Sequence, residues 1–346
     1  MVFTYKGALH IHSNYSDGSG SIEAIAGAAK KAGLDFIIIH DHNNLKGLKE
    51  GKEGWYDNVA VIFGEEISPD NGDHYLAFCI NEEISHEMKP EEFIAEVKKQ
   101  GGFGFIAHPD ESKTRKNSYK PLRWSNWDIE GFDGLEIWNH LSDWVDVYSL
   151  ATVVRDYFLR DSIIKGPSVD VLQWWDRLNS ENDRIVPAVG GVDAHALKFR
   201  YYGLDFIVFP YEYTFRTVTN HIILDAELSK DFEEAKNQIH NALKTGRNII
   251  ANCIWNKGEI ELPFWVENND ERVFSGSSAV LTQGAKAVVK LPQKGLIKIF
   301  CSGKLIYSNE GKETSVNISE SGKYRAEVYY KNRPWIFTNS VKVTKI

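Results

Sequence analysis

A β-branched apolar run, Phe36-Ile37-Ile38-Ile39, passes without a break into four polar groups, His40-Asp41-His42-Asn43. Such a run reads as a strand buried on both faces, the kind found in parallel sheets with helices packed over them. Ionisable groups at its end are costly to bury unless something pairs them. The pattern recurs. Phe3 to His12 reads as a strand ending in His10-Ile11-His12. Val59 to Phe63 runs into Gly64-Glu65-Glu66-Ile67-Ser68, and Phe103 to Ala107 into His108-Pro109. His74 opens the apolar stretch Tyr75 to Ile80, and Val186 to Val192 leads into Asp193-Ala194-His195.

Helical stretches separate these strands. Ser21 can cap a helix through Ala32, with Gly33 at its C-cap. Pro90 fits the first turn of a helix to Gln100, ended by Gly101 and Gly102. Residues 143–160, 168–179 and Asp231 to Lys244 also read as helical, and Gly134 to Trp138 as a strand. Strands alternating with helices imply an α/β fold with a parallel sheet or barrel. In a barrel the C-terminal strand ends converge on one face, where active sites lie. Ligands spread over some 190 residues then meet.

The character changes near residue 250. From Ile249 onward short alternating segments recur at Ala287 to Leu291, Leu296 to Phe300, Tyr324 to Tyr330 and Ser340 to Thr344. Glu310-Gly311-Lys312 and Ser321-Gly322-Lys323 read as the turns between them. With 346 residues the chain is long for one domain. The expected division is an α/β domain over 1–250 and a small all-β sandwich over 251–346.

On a regular strand, His10 and His12 point to the same side, and so do Asp193 and His195. Asp17 sits in Ser16-Asp17-Gly18, ordinarily just a turn. Glu65 and Glu66 point in different directions, so one serves such a site and the other does not. Imidazole mixed with carboxylate, without cysteine, suits Zn, Mn or Fe rather than a structural zinc site.

The three cysteines are far apart and form no CxxC, which argues against a disulfide framework. A formal net charge of −8 without a long Lys/Arg run argues against a long nucleic acid as partner. It leaves room for a small anionic substrate, because bound cations reverse the local sign. The start of the chain is too polar for a signal peptide, and no apolar run is long enough for a membrane helix. A cytoplasmic protein, not bound to a membrane, is the expectation.

The ordered motifs resemble those of the PHP family, the polymerase and histidinol phosphatase domain. The matching stretches are His10-Ile11-His12 with Ser16-Asp17-Gly18, Asp41-His42-Asn43, Gly64-Glu65-Glu66-Ile67-Ser68, His74-Tyr75-Leu76, His108-Pro109 and Val192-Asp193-Ala194-His195, within residues 5–250. The resemblance implies a distorted (β/α)7 barrel holding two or three divalent metal ions. It implies that His10, His12, Glu66 and Asp193 hold the first ion. Glu66 would bridge to a second ion, completed by His74 and His108. Asp17, His42 and His195 would hold the third. Glu66 is chosen over Glu65 because the family carboxylate precedes an apolar residue and a Ser or Thr. Where relatives often carry Thr, this chain has His40. Pro210-Tyr211-Glu212, Thr214-Phe215-Arg216-Thr217 and Pro334-Trp335-Ile336-Phe337-Thr338-Asn339 resemble a subgroup that carries a β-sandwich after the barrel.

The implied activity is hydrolysis of a small phosphate monoester or diester by a hydroxide bridging the metals, with Asp193 or His195 assisting the leaving group. Alternatives are a metal-dependent hydrolase of another ester or an amide, and a metal-binding module without catalysis. Lys113, Arg115 and Arg200 are candidate phosphate contacts, with solvated loops as the bland alternative. Tyr119, Trp124, Trp127, Trp138, Trp144, Trp174 and Trp175 could form a stacking wall, though such residues are more often core. His86, His140, His221 and His240 read as ordinary surface or core residues.

Overall fold

In the computed structural model, which describes residues 2–111, 122–145, 159–201, 204–255 and 260–345, strands and helices alternate as far as residue 252. In chain order the elements are β1 (Phe3–Ile11), α1 (Ile22–Ala32), β2 (Phe36–His42), α2 (Lys46–Lys49), β3 (Gly54–Tyr56), β4 (Val59–Ile67), β5 (Tyr75–Phe78), α3 (Pro90–Lys99), β6 (Phe103–Ile106), β7 (Gly134–Asn139), α4 (His140–Val145), α5 (Val169–Glu181), β8 (Ala188–Gly191), β9 (Leu197–Tyr201), β10 (Leu204–Val208), α6 (Tyr211–Thr214), β11 (Val218–Leu224), α7 (Phe232–Thr245) and β12 (Asn248–Asn252). The expected caps are present. Ser21 accepts from Ala24 N at the start of α1, and Gly33 closes it at φ 70°. Of the helix expected over 143–160, residues 146–158 lie outside the described residues.

β1, β2 and β4 pair in parallel, as do β6, β7 and β8. β5 runs antiparallel between β4 and β6. The link 68–74 is too short for the crossover a parallel pair requires. The reversal places the start of β5 beside the end of β4, which is why His74 precedes its strand while the other candidates follow theirs. Beyond β8 the chain returns to β1. Val192 N donates to Leu9 O, Ala194 N to His10 O, and His12 N to Ala194 O, at 3.0, 3.2 and 3.0 Å.

Alternation sorts the strand side chains into two apolar layers. Ile37, Ile39, Val59, Val61, Phe63, Tyr75 and Leu135 pack with α1, α3 and α5. Phe36, Ile38, Ala60, Ile62, Leu76, Phe78 and Phe105 fill the opposite layer, with Ile239 and Leu243 of α7. Each such side chain contributes about 1.5–3 kcal/mol on burial. Counting in twos, His40 and His42 continue the row of Phe36 and Ile38. Glu66 continues the row of Ala60 and Ile62, whereas Glu65 belongs with Val61 and Phe63.

From residue 264 on, the described residues are all-β: β13 (Phe264–Asn268), β14 (Glu271–Val273), β15 (Ser278–Val280), β16 (Lys286–Cys301), β17 (Lys304–Asn317), β18 (Gly322–Tyr330), β19 (Arg333–Thr338) and β20 (Val341–Thr344). The two segments expected at 287–291 and 296–300 are one strand, with a register shift between Lys290 and Gly295. Glu310-Gly311-Lys312 is not a turn but part of β17. The reversal is made instead by Ser302-Gly303, both at positive φ (46° and 80°), the geometry of a tight hairpin.

This β region is stitched to the α/β part. β12 pairs with β11 on one side and β19 on the other. β11 pairs with the first half of β1, so the matching edge of β8 is met by asparagine side chains. Asn220 bonds both N and O of Gly190, at 3.0 and 2.6 Å. Asn339 accepts from Ala188 N at 2.7 Å and donates to Ala188 O at 2.9 Å, and Asn248 also reaches Ala188 O. All three asparagines are fully buried. Lys323 of β18 donates to the carbonyls of Asn179, Asn182 and Arg184 at the end of α5, and Arg325 makes a two-pronged pair with Asp176.

Asn339→Ala strips Ala188 N of its partner in a dry setting and leaves Ala188 O with Asn248 alone. The expected loss is about 1–3 kcal/mol of unfolding free energy, read from chemical denaturation. A loss below about 0.5 kcal/mol would contradict the stitching role.

Candidate metal centre

The side chain of Glu66, 1% exposed, is ringed by five imidazoles. His42 Nδ1 lies 2.8 Å and His74 Nδ1 2.9 Å from its oxygens, with His108 Nε2 at 3.2 Å, His10 Nε2 at 3.3 Å and His12 Nε2 at 3.5 Å. Asp193 Oδ1 stands 3.2 Å from His12 Nε2 and 3.4 Å from His195 Nδ1. Asp17 Oδ1 lies 3.2 Å from His195 Nε2 and 3.7 Å from His42 Nε2.

Four overlapping groups have ligand atoms close enough to share an ion: His12, Asp17, His42 and His195; His10, His12 and Glu66; His10, His108 and Asp193; and Glu66, His74 and His108. These contain all nine residues singled out as ligands in the sequence. Glu65 points elsewhere and accepts from Ile84 N at 3.0 Å. His10 Nε2, both ring nitrogens of His12 and His108 Nδ1 are buried without a hydrogen-bond partner. Buried nitrogens left bare in this way fit a divalent cation.

The backbone departs from regular strand where the ligands converge. The register of β1 on β2 slips between Leu9 and Ile11, and the bulged residue is His10, at φ 63°. His10 and His12 share a side as expected, with ring centroids 5.2 Å apart, but across a bulge rather than along a regular strand. Asp193 (φ 48°) and His108 (φ 27°) are also in the left-handed region, where residues with a Cβ are strained.

Glu136 was not anticipated. It is buried on β7, with Oε1 2.7 Å from His10 Nδ1 and Oε2 accepting from His108 N at 2.7 Å and Asn139 Nδ2 at 3.1 Å. It fixes the His10 ring so that Nε2 faces Glu66. Gly191 makes room for it, since a Cβ there would lie 1.6 Å from Glu136 Oε1. The signal in the sequence is a single carboxylate inside an apolar strand. Asp41, though beside His42, bonds Ser13 and Ser16 and shapes the loop that carries Asp17. His40 is buried, with Nδ1 accepting from His10 N at 3.3 Å, and belongs to none of the four groups.

The electrostatics follow from burial and proximity. Burial disfavours a charged His42 or His108, but Glu66 raises both to about 9. Burial, reinforced by His195 and His42, lowers His12 to about 3. Burial alone would raise Glu66 and Asp193, yet the surrounding histidines hold both well below the usual carboxylate range. Glu65, away from them, is raised by burial to about 8.

Lys113 and Arg115 lie outside the described residues, as does Tyr119. Arg200 is exposed on β9 and joins none of the four groups. Trp124, Trp138, Trp144, Trp174 and Trp175 are buried core, and Trp127 stacks on Trp174, so these residues form no exposed stacking wall. His221 and His240 are buried beside Cys253 and Cys79. A cleft of about 290 Å³, bordered by His108, Glu136, Asn139 and Lys165, adjoins the cluster. Among the described residues no helix is long and apolar enough to cross a membrane.

A family model described as the PHP domain matches residues 8–288. A stretch of 166 residues, 44% of this chain, is 32% identical to an uncharacterized protein of Methanocaldococcus jannaschii, 92% of which it covers. Among solved structures, a two-domain protein containing a predicted PHP-like metal-dependent phosphoesterase from Bacteroides vulgatus aligns over 98% of this chain and 95% of its own, with 16% identity and a TM-score of 0.48. PsfC from Pseudomonas syringae aligns over 70% of this chain and 89% of its own, with 13% identity and a TM-score of 0.39.

Two outcomes follow from the geometry. Glu136→Gln should weaken metal retention by about 10–100-fold, read by competition with a chelator, while the melting profile stays cooperative; unchanged retention would contradict its orienting role. A cation must displace the protons that Glu66 holds on His42 and His108. Metal affinity should therefore climb between pH 6 and 9, level off above about 9, and release protons measurable by calorimetry in buffers of different ionisation enthalpy. A flat profile would contradict the assignment.

Proposed function

The chain belongs to the PHP domain family, and from that premise we propose that it is a metal-dependent phosphoesterase acting on a small phosphate monoester or diester. The observation that carries this reading is the set of bare, buried imidazole nitrogens around two carboxylates kept ionised. We read the ring of seven strands, closed between β8 and β1, as the family's distorted (β/α)7 barrel, with residues 251–346 as a β-sandwich domain.

His10, His12, Glu66 and Asp193 would hold one divalent ion. Glu66, His74 and His108 would hold a second, and Asp17, His42 and His195 a third; Zn, Mn and Fe all suit these donors. Bound there, such ions supply Lewis acidity toward phosphoryl oxygens and a water acidic enough to attack at neutral pH.

The protein's own groups divide the remaining work. His195 Nδ1 donates to Asp193 O at 3.0 Å, which leaves Nε2 as the ligand atom facing Asp17. The proton given up by the attacking water would pass to Asp193 or His195, which would return it to the leaving oxygen. Asn139 Nδ2, 3.3 Å from Asp193 Oδ2, orients that carboxylate. Glu136 and Ser68 steady His10 and His42 from behind.

Asp193→Asn should lower turnover of an aryl phosphate by about 10²–10⁴-fold. The wild-type protein, reconstituted with Mn, Zn or Fe, should cleave phosphate esters and leave the matched carboxyl ester and amide intact. Preference for the amide or carboxyl ester would replace the phosphate reading. Bound metal with no turnover on any of the three would make the centre a binding module.

A further inference from the structure

A second charged feature lies away from the metal cluster. Lys6 of β1, Arg160, Arg216 and Arg333 line one open cleft of about 760 Å³ between the α/β part and the β19 hairpin. Lys6 precedes His10 by four residues, roughly 13 Å along the strand at about 3.3 Å per residue. Four cations in one cleft are unexpected in a chain with a net charge of −8. Among the described residues the carboxylate lining the cleft is Asp161, which accepts from the Tyr213 hydroxyl at 3.0 Å.

Two of the guanidinium groups are set in place by rings rather than by acids. Arg160 lies 3.9 Å above the ring of Tyr213, and Arg333 lies 4.8 Å from the centre of the Trp255 ring. Stacking fixes the plane of a guanidinium and leaves its N–H edges free to donate. Lys6 Nζ donates to Ala32 O at 3.3 Å, an uncharged partner. Arg216 pairs with Glu212 one helical turn away. Among the described residues no carboxylate pairs with the Arg160 or Arg333 guanidinium or with Lys6 Nζ within 4 Å, and Asp35, the acid beside Lys6, accepts from its backbone N at 2.7 Å. Planar donors held in position without a counter-charge are suited to phosphate oxygens. The volume lies within the range of small-molecule sites.

We propose that this cleft is a second ligand site, separate from the metal centre, that binds a chain of phosphates through Arg160, Arg333, Lys6 and Arg216. The site touches the metal centre indirectly. Tyr213 belongs to α6, and Tyr211 on the same short helix donates to His12 O at 2.7 Å.

The test is calorimetric titration of the purified full-length protein with inorganic tripolyphosphate, at low and at high salt. Three proteins are compared: wild type, Arg160→Ala/Arg333→Ala, and Asp193→Asn. The cleft accounts for binding if the double variant weakens it by at least about tenfold while keeping the wild-type melting temperature and aryl phosphate turnover. Asp193→Asn should bind tripolyphosphate as wild type does, since its lesion lies in the other site. Undiminished binding by the double variant, or loss of binding in Asp193→Asn alone, overturns the proposal. So does the absence of saturable binding in the wild type.

Discussion

Burying one carboxylate sets the terms for the rest of this molecule. Glu66 sits at the end of a strand whose other inward residues are apolar, and it has 1% exposure. A charge in that position is untenable alone. Five imidazoles, delivered by β1, β2, the start of β5 and the end of β6, close around it. Those imidazoles are in turn too many for one carboxylate. Several ring nitrogens are left bare, and the strain at His10, His108 and Asp193 is tolerated to aim them inward. The arrangement is poorly satisfied as protein alone and well suited to cations.

Much of the site is legible in the sequence because its logic is local. Eight of the nine candidates adjoin an apolar run, so the strand ends can be read off, while Asp17 sits in an ordinary turn; the nine are brought together as a set. Glu66 rather than Glu65 is chosen from the resemblance to the family motif; the structure sets Glu66 in the row of Ala60 and Ile62, beside the histidines. What the sequence hides is where the strand period breaks. Nothing in Leu9-His10-Ile11-His12 announces a bulge, because the residue forced to positive φ carries a Cβ. Glu136 escapes notice for a related reason: its partners, His10 and the backbone of His108, are distant in sequence. A lone Glu inside Gly134–Asn139 was a usable sign, since an inward carboxylate on a buried strand needs a partner.

The fold beyond residue 250 shows the same limit. Its β character is legible from alternation, but its hairpins are not. Ser302-Gly303 turns the chain because both residues take positive φ, while Glu310-Gly311-Lys312, richer in ordinary turn residues, stays in β17 through pairing with β16. The asparagine side chains at 220, 248 and 339 replace a strand along the lower edge of β8, and no periodicity reveals that. They tie the strand leading to Asp193 to the last strands of the chain. The β region therefore bears on the geometry of the centre even though it supplies none of the nine ligand candidates.

The central claim is that these histidines and carboxylates chelate a cluster of divalent cations together. The direct measurement is elemental analysis of the purified protein after reconstitution with Mn, Zn or Fe and removal of loose metal. The account predicts two or three equivalents per chain, falling by at least about one in Glu66→Ala, because that side chain is shared between two of the overlapping groups while Asp17, His42 and His195 keep theirs. Fewer than one equivalent in the wild type, or the same content in both proteins, would contradict it.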